Sequence, residues 1–238
     1  MKMLRRILRN ILPRRLADAL HEMNRPARLA PLAAKFGIML RMPTEDRRCL
    51  EGVILPWFAR QCGFRRILFV GCDWYSSGYH LLFRGAEYAT LDFDPGKKRF
   101  GARRHIVAPM QELGRWFSPG SLDLVVCNGV VGWGLNAKHD LEVAFRATLH
   151  ALRSKGVLVI GWNDVPKFRP IPLESIGALQ KFAPLVFEPL GKSRVRTATE
   201  NKHVFDFYTK IGAGCTVFVR GFLEALEDVC YVGETVFC

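Results

Sequence analysis

The chain has 238 residues, of which 49% are hydrophobic and 24% are charged. This composition is typical of a folded globular protein, and the longest uncharged apolar runs are far shorter than the roughly 20 residues of a membrane-spanning helix. Lysine and arginine number 35 against 22 aspartates and glutamates, and this net charge of +13 favours an anionic partner such as a membrane surface, a nucleic acid or a phosphorylated substrate.

The positive charge is concentrated near the N-terminus, where residues 1–48 hold 12 basic and four acidic side chains. Within residues 1–20, apolar side chains recur at helical spacing, at Leu4, Ile7, Leu8, Ile11 and Leu12. We predict a basic helical N-terminal extension over residues 1–48. Three interpretations stay open for residues 1–20: peripheral contact with anionic lipid at the inner face of a membrane, packing on the domain with the arginines in water, or a mitochondrial presequence.

Seven cysteines are scattered along the chain, and none lies at a spacing typical of metal ligands. Their odd number and their apolar surroundings predict free thiols in a reducing cytoplasm, and no metal site is predicted. Cys72, which follows a glycine, has two interpretations, a reactive thiol or a small residue at the end of a strand.

Beyond the extension, short apolar runs alternate with stretches of helical periodicity. Strands separated by helices imply crossover connections, and therefore a parallel sheet with helices on both faces. We predict a domain over residues 49–210 and a C-terminal extension of unknown role over residues 211–238. The predicted helices are Thr44–Gln61, a segment from about Tyr79, and Asp140–Arg153; the predicted strands are Arg66–Gly71, Glu87–Phe93, His105–Ala108, Leu122–Asn128, Val157–Gly161 and His203–Thr209.

The residues that follow the strands are candidates for ligand binding, because ligands of such sheets bind outside the carboxyl ends of the strands. Gly71 ends the first predicted strand and permits a sharp turn. Asp92 ends the second strand, 21 residues later. An acidic side chain at this spacing is placed to accept hydrogen bonds from ribose hydroxyls. The alternative interpretation of Asp92 is a helix cap.

Asp73 stands where a second glycine would let a diphosphate touch the backbone. A desolvated carboxylate there repels a diphosphate, at a cost on the order of several kcal/mol. It attracts an ammonium or sulfonium group instead, which favours S-adenosylmethionine, a nucleoside without phosphate, over NAD or FAD. The alternative is that Asp73 is an ordinary turn residue.

Four segments resemble, in order, motifs of the class I S-adenosylmethionine-dependent methyltransferases. RILFVGCDWYSSGY resembles the first glycine motif, YATLDFDP the acidic second strand, LDLVVCNGVVGWGL the fourth-strand motif, and ALRSKGVLVIGW the helix and turn that lead into the fifth strand. The chain departs from the family pattern at Phe69, where an acid is usual, at Asp73, where a glycine is usual, and in APMQEL, which lacks the usual aspartate.

The resemblance implies a three-layer, Rossmann-like α/β fold whose mostly parallel sheet has an antiparallel last strand. It also implies S-adenosylmethionine as the cofactor. By the same resemblance the cofactor-binding residues divide into three groups: Gly71, Cys72 and Asp73 along the methionine and ribose, with Asn128 beneath the methionine; Asp92 at the ribose; and Phe93, with Met110 or Gln111, around the adenine.

The reaction implied by the resemblance is an in-line methyl transfer, for which a protein supplies mainly positioning and electrostatics. A base is needed only where the acceptor loses a proton, as oxygen acceptors usually do. His139 and Asp164 are the predicted catalytic residues, with Asp140 and His80 as further candidates. For each, the alternative is a solvated, capping or turn residue.

Three functions follow from these observations. The first is a methyltransferase acting on a small-molecule, glycan or lipid-linked acceptor, at oxygen, because the sequence after the fourth strand is not the Asn-Pro-Pro-aromatic type of amino-group methylation. The second is an RNA methyltransferase or nucleic-acid binder, which the overall charge favours and the clustering of that charge in residues 1–48 disfavours. The third is a non-catalytic, membrane-associated protein of the same fold.

Overall fold

The computed structural model describes residues 26–168 and 171–212. The predicted helix over residues 1–20 and nearly all of the C-terminal extension lie outside this range. Helix α1 covers Pro26–Lys35, α2 covers Glu45–Cys49, α3 covers Leu55–Arg60 and α4 covers Lys138–Ala151. None of the helices in the described ranges is long and apolar enough to cross a bilayer.

Eight strands of the described chain form one sheet, in the order β3-β2-β1-β4-β5-β8-β6, with β7 also paired to β8. The first five strands are parallel to one another, and β8 runs antiparallel to β5. The predicted parallel sheet with an antiparallel last strand is therefore confirmed. The strands are β1 Arg66–Val70, β2 Glu87–Asp92, β3 Arg104–Val107, β4 Leu122–Asn128, β5 Leu152–Asn163, β6 Phe182–Pro184, β7 Arg194–Arg196 and β8 His203–Lys210.

The sheet is covered on both faces, which explains the continuous apolar runs that predicted its central strands. All seven residues of β4 are buried. One face packs against α4 and the 3-10 helix Met110–Arg115, and the other packs against the segment from α2 to α3. The resulting three layers are those of the predicted fold.

A single helical segment leads into the sheet. A π-helical stretch, Leu50–Ile54, joins α2 to α3, so the backbone is helical from Glu45 to Arg60. This agrees with the predicted helix Thr44–Gln61. The domain boundary predicted between residues 48 and 49 falls inside this segment, so residues 45–48 share one helical segment with the start of the predicted domain.

The α-helix predicted from about Tyr79 is not formed. The chain there forms only the short 3-10 helices Trp74–Ser76 and Tyr79–Leu81. Gly78 and Gly85 flank the second of these, and the Gly85 backbone, at a φ of 86°, cannot continue a right-handed helix. The crossover from β1 to β2 is therefore short and brings the turn after β1 close to β2.

Candidate active site

Gly71 forms the turn at the carboxyl end of β1, where the backbone φ is 93°. Its N–H donates to the carbonyl of Leu91 at 3.0 Å, which joins the turn to β2. A Cβ at this position would overlap the carbonyl oxygen of Asn128 and come within 2.7 Å of Val130. Both the conformation and the close approach of the neighbouring strand end therefore require glycine here.

Asp92 lies at the end of β2 with its side chain buried and directed at the same turn. Its Oδ2 accepts a hydrogen bond from the backbone N–H of Cys72 at 2.7 Å, and its Oδ1 accepts one from the N–H of Asp94 at 2.9 Å. A carboxylate has about four acceptor positions, so two such bonds leave capacity for a ligand hydroxyl. Asp92 thus orders the glycine turn and can still bind a ribose.

Asp73 is paired with a lysine that the sequence analysis did not connect to it. Its Oδ2 lies 2.7 Å from the Lys97 ammonium, and its Oδ1 accepts from the N–H of Trp74 as part of a capping box with Ser76. Burial alone would lower the pKa of Lys97, but the hydrogen bond and charge of Asp73 raise it overall. Because this ion pair is internally compensated, the repulsion of phosphate expected from Asp73 alone is weakened.

A small cavity of about 190 Å³ opens between the ends of β2, β3 and β4. Its wall is mainly apolar, and the hydrogen-bonding side chains in it are those of Asp92, Gln111 and Trp133. Phe93, at the mouth, is 61% exposed. A flat, partly polar ring suits such a slot. Its lining residues are Val70, Gly71, Leu91, Asp92, Phe93, Pro109, Met110, Gln111, Gly129, Val130, Trp133, Gly134 and Leu135.

A larger cavity of about 590 Å³ adjoins the small one and shares part of its wall. The shared residues are Gly71, Asp92, Phe93, Gly129 and Trp133. The remaining wall comes from three parts of the chain: Met42, Thr44, Asp46 and Arg47 before the sheet; Cys72, Asp73, Tyr75, Asp94 and Lys97 around the turn; and Trp162, Asn163, Thr199, Glu200, Asn201 and His203 at the far strands.

His203 is the histidine of the larger cavity, and the sequence analysis missed it. Its Nδ1 lies 2.7 Å from the Asn163 amide oxygen, and its Nε2 lies 3.2 Å from the Asn128 amide oxygen. Gly161 makes this cluster possible, because a Cβ there would collide with the Asn128 side chain and come within 2.9 Å of the imidazole. Burial lowers the pKa of His203 to about 4, so the ring is neutral at pH 7.

The two amide oxygens give His203 an unusual hydrogen-bonding requirement. A neutral imidazole has one N–H and can donate to only one of them, whereas an imidazolium would donate to both. The amide nitrogen of Asn128 is buried without a hydrogen-bond partner. Turning the Asn128 amide over would place its nitrogen against Nε2, so that the neutral ring accepts one hydrogen bond and donates the other to Asn163.

Arg47 is the second residue that the sequence analysis missed. Its guanidinium stacks on the Tyr75 ring at 3.8 Å and donates to the Tyr79 hydroxyl at 3.4 Å, and that hydroxyl donates to Glu51 at 2.8 Å. This buried network fixes α2 as a wall of the larger cavity. Helical spacing was the available signal, because Arg47 precedes the buried residue Leu50 by three positions.

The predicted cofactor-binding residues converge, whereas the predicted catalytic residues do not. Gly71, Cys72, Asp73, Asp92, Phe93, Met110 and Gln111 line the cavities, and Asn128 lies behind the wall, bonded to His203. His139 is exposed at the start of α4, outside both cavities. Asp164 also lies outside both linings, and its carboxylate is paired with Arg196. Of these titratable side chains, His203 lines the larger cavity, whereas His139 and Asp164 do not.

The side chain of Cys72 is a buried, protonated thiol. Burial, together with the charge of Asp92, raises the pKa of its thiol to about 12, so the thiolate that a reactive cysteine needs is not formed at pH 7. Within the described residues, no group of three or more histidine, cysteine or acidic side chains is placed to hold a metal ion.

Comparison with solved structures identifies the fold. The N-methyltransferase NodS from Bradyrhizobium japonicum superposes with a TM-score of 0.52 at 14% identity, over 71% of this chain and 99% of NodS. A TehB-like S-adenosylmethionine-dependent methyltransferase from Corynebacterium glutamicum superposes with a TM-score of 0.50 at 18% identity, over 81% of this chain and 99% of that protein. TrmN from Thermus thermophilus gives a TM-score of 0.51 at 15% identity, over 78% of this chain and 53% of TrmN.

These likenesses show that the chain has the Rossmann-like fold of the class I S-adenosylmethionine-dependent methyltransferases. No protein-family model matches the chain, and no curated protein sequence matches it.

Proposed function

We propose that the protein is an S-adenosylmethionine-dependent methyltransferase acting on a small-molecule, glycan or lipid-linked acceptor. The observation that carries this proposal is the junction of two cavities at Gly71 and Asp92, on the edge of the sheet where the parallel strands end. A nucleoside needs one slot for its base and a carboxylate for its ribose, and both are present at this junction.

The residues fit the cofactor in three places. The small cavity accepts the adenine between Phe93 and Met110, and the free lone pairs of Asp92 accept the ribose hydroxyls. The turn at Gly71 leaves room for the methionine part in the larger cavity. When bound, the cofactor supplies a methyl group on a sulfonium, which an acceptor removes by in-line displacement. A solved structure of NodS holds S-adenosyl-L-homocysteine, in keeping with this use of the fold.

The acceptor occupies the rest of the larger cavity, opposite the cofactor and beside His203. An oxygen acceptor gives up a proton as it is methylated. Both ring nitrogens of His203 lie against amide oxygens, so the neutral imidazole can take that proton only where the acceptor displaces one of these amides from the ring. NodS is named as an N-methyltransferase, so a nitrogen acceptor is the alternative to oxygen.

The cavity wall disfavours a nucleic-acid acceptor. Five carboxylates line it, from Asp46, Asp73, Asp92, Asp94 and Glu200, against the two basic side chains of Arg47 and Lys97. Such a wall repels a phosphate backbone, although the whole chain is basic. The excess of basic residues in the sequence, which favoured a nucleic-acid partner, is therefore not found in this cavity wall.

Two measurements test the proposed function. Calorimetric titration of the full chain with S-adenosylhomocysteine should show one site, and an absence of binding would refute the proposal. Incubation with methyl-labelled S-adenosylmethionine and a fractionated cell extract should then place label in small metabolites, glycan or lipid. Label in RNA would favour the nucleic-acid alternative, and binding without any transfer would favour a non-catalytic protein.

A further inference from the structure

Helix α1 packs with its small side chains towards the protein and its large apolar side chains towards solvent. Ala30 and Ala34 are buried against the domain. On the opposite face, Leu29 is 47% exposed, Leu32 is 53% exposed and Phe36, just after the helix, is 76% exposed. Their i, i+3, i+7 spacing places these three side chains in one row. A surface helix of a soluble protein normally has the opposite arrangement.

The row continues past the helix and is flanked only by basic charge. Ile38, two residues after Phe36, is 56% exposed. Residues 26–41 contain Arg28, Lys35 and Arg41 and no acidic side chain. We call the surface formed by Leu29, Leu32, Phe36, Ile38, Lys35 and Arg41 the α1 surface. Exposed apolar side chains beside basic ones are the composition of a helix that lies at the interface of an anionic bilayer.

We propose that the α1 surface docks on an anionic lipid bilayer. Charge argues against two other occupants. Residues 1–25 hold seven basic and two acidic side chains, so packing that segment on this surface would bring like charges together. A second copy of the chain would do the same. A third, the apolar residues 213–238 with four acidic side chains and one basic, is decided by the test: deleting them should leave vesicle binding unchanged, and a gain of binding would assign the α1 surface to that segment. An anionic bilayer accepts the apolar row and attracts Lys35 and Arg41.

The position of α1 connects this surface with the candidate active site. The helix packs on the 3-10 helix Trp74–Ser76 and on the segment Pro95–Phe100, which carry the cavity residues Tyr75 and Lys97. From Ile38 the chain reaches Met42, in the wall of the larger cavity, within four residues. A docked α1 surface therefore places the segments that carry these cavity residues one helix thickness, roughly 10 Å, from the bilayer and from a lipid-linked acceptor in it. Docking itself needs no cofactor and so is independent of the proposed function.

The test is co-sedimentation of the full chain with vesicles of phosphatidylcholine alone and of phosphatidylcholine mixed with phosphatidylglycerol. We expect binding to the mixed vesicles that weakens as salt is raised. The combined variant Leu29→Ser, Leu32→Ser and Phe36→Ser should need at least about tenfold more mixed lipid for half-maximal binding, because it loses the side chains that enter the acyl boundary. The matched control, Trp116→Ser with Val186→Ser, removes two exposed apolar side chains elsewhere and should bind as the unaltered protein does.

Circular dichroism and S-adenosylhomocysteine titration check that each variant is folded. We expect each to fold, because the substituted side chains are exposed and lie outside both cavities. Equal binding of the triple variant and the unaltered protein would overturn the proposal, as would equal binding to neutral and mixed vesicles. A triple variant that loses a dimer in sedimentation velocity, without losing vesicle binding, would assign the α1 surface to a second copy instead. Loss of binding only when residues 1–20 are deleted would assign the membrane contact to that segment.

Discussion

The carboxylate of Asp92 accepts a hydrogen bond from the backbone N–H of Cys72 at 2.7 Å, so the end of β2 holds the turn that follows β1. The side chain proposed to bind the ribose is therefore also a structural part of the turn that receives the rest of the cofactor. Asp92 lines both cavities, so a ligand bound to its carboxylate is affected by the conformation of both.

Replacing Asp92 tests the ribose site. We expect Asp92→Ala to weaken S-adenosylhomocysteine binding by about 1–3 kcal/mol, because ligand hydroxyls lose a charged acceptor and the turn loses a tether. Calorimetry gives the affinity, and thermal melting shows whether the variant is folded. Asp140→Ala, at the first turn of α4, is the control and should leave the affinity unchanged. A folded Asp92→Ala protein with unaltered affinity would contradict the assignment.

Gly71 and Gly85 have similar backbone φ values, so their alanine variants distinguish the cost of backbone strain from the cost of steric overlap. Gly71 and Gly85 both have positive φ values, 93° and 86°, but only Gly71 has neighbours within reach of a Cβ. Gly85→Ala should cost about 1 kcal/mol of folding stability, the backbone contribution alone. Gly71→Ala should cost a few kcal/mol more and abolish cofactor binding. Urea unfolding measures the folding stability of both variants. Equal losses of stability would show that the structure rearranges to relieve the overlap with Asn128.

The pKa of His203 predicts how stability depends on pH. The folded pKa, about 4, lies below the ordinary value of 6.5, so between these values the unfolded chain binds a proton that the folded chain does not. Stability conferred by the neutral ring is complete above pH 6.5 and falls as the pH is lowered towards 4, by up to about 3 kcal/mol.

His203→Gln removes this titration, because glutamine keeps the hydrogen-bonding capacity without a proton to gain. The stability difference between the unaltered protein and the variant should therefore shrink, and then reverse in favour of the variant, as urea unfolding is repeated from pH 7.5 down to pH 4.5. A difference that stays constant over this range would show that the pKa of His203 is the same in the folded and unfolded states.

Removing Lys97 exposes the charge of Asp73 to the ligand. S-adenosylmethionine carries a sulfonium charge that S-adenosylhomocysteine lacks, so Lys97→Gln should shift the ratio of their dissociation constants about two- to fivefold in favour of the charged ligand at low salt. Lys98→Gln, which changes an exposed neighbour, is the control. An unchanged ratio would place the sulfonium away from Asp73.

The sequence predicted the parts of the fold in which burial is continuous. The bounds of β4 were predicted correctly because every residue of that strand is buried and its centre, Leu124–Cys127, is an unbroken apolar run. Asp92 was found because a parallel strand ends at a fixed edge of the sheet. The strands β6 and β7 were missed because each has three residues, too few to show a periodic pattern, and each depends on pairing with β8.

His203 was missed for a topological reason. Only the carboxyl ends of strands were searched for site residues, but β8 is antiparallel, so its first residue lies at the edge where the parallel strands end. The pairing of Asp73 with Lys97 joins residues 24 positions apart and leaves no periodic signal. Such contacts are decided by the packing of loops, which composition and spacing do not describe.

The walls of the larger cavity come from distant parts of the chain: residues 42–47 stand on one side, residues 199–203 on another, and the adenine slot is built entirely from residues 70–135. Substitutions in residues 42–47 and 199–203 would change which acceptor is methylated and leave binding of the nucleoside unchanged. Under the proposed function, the two flanks would therefore tune the acceptor, whereas shared residues such as Gly71 and Asp92 would serve both ligands, and chimaeras exchanging only the flanks would change the acceptor.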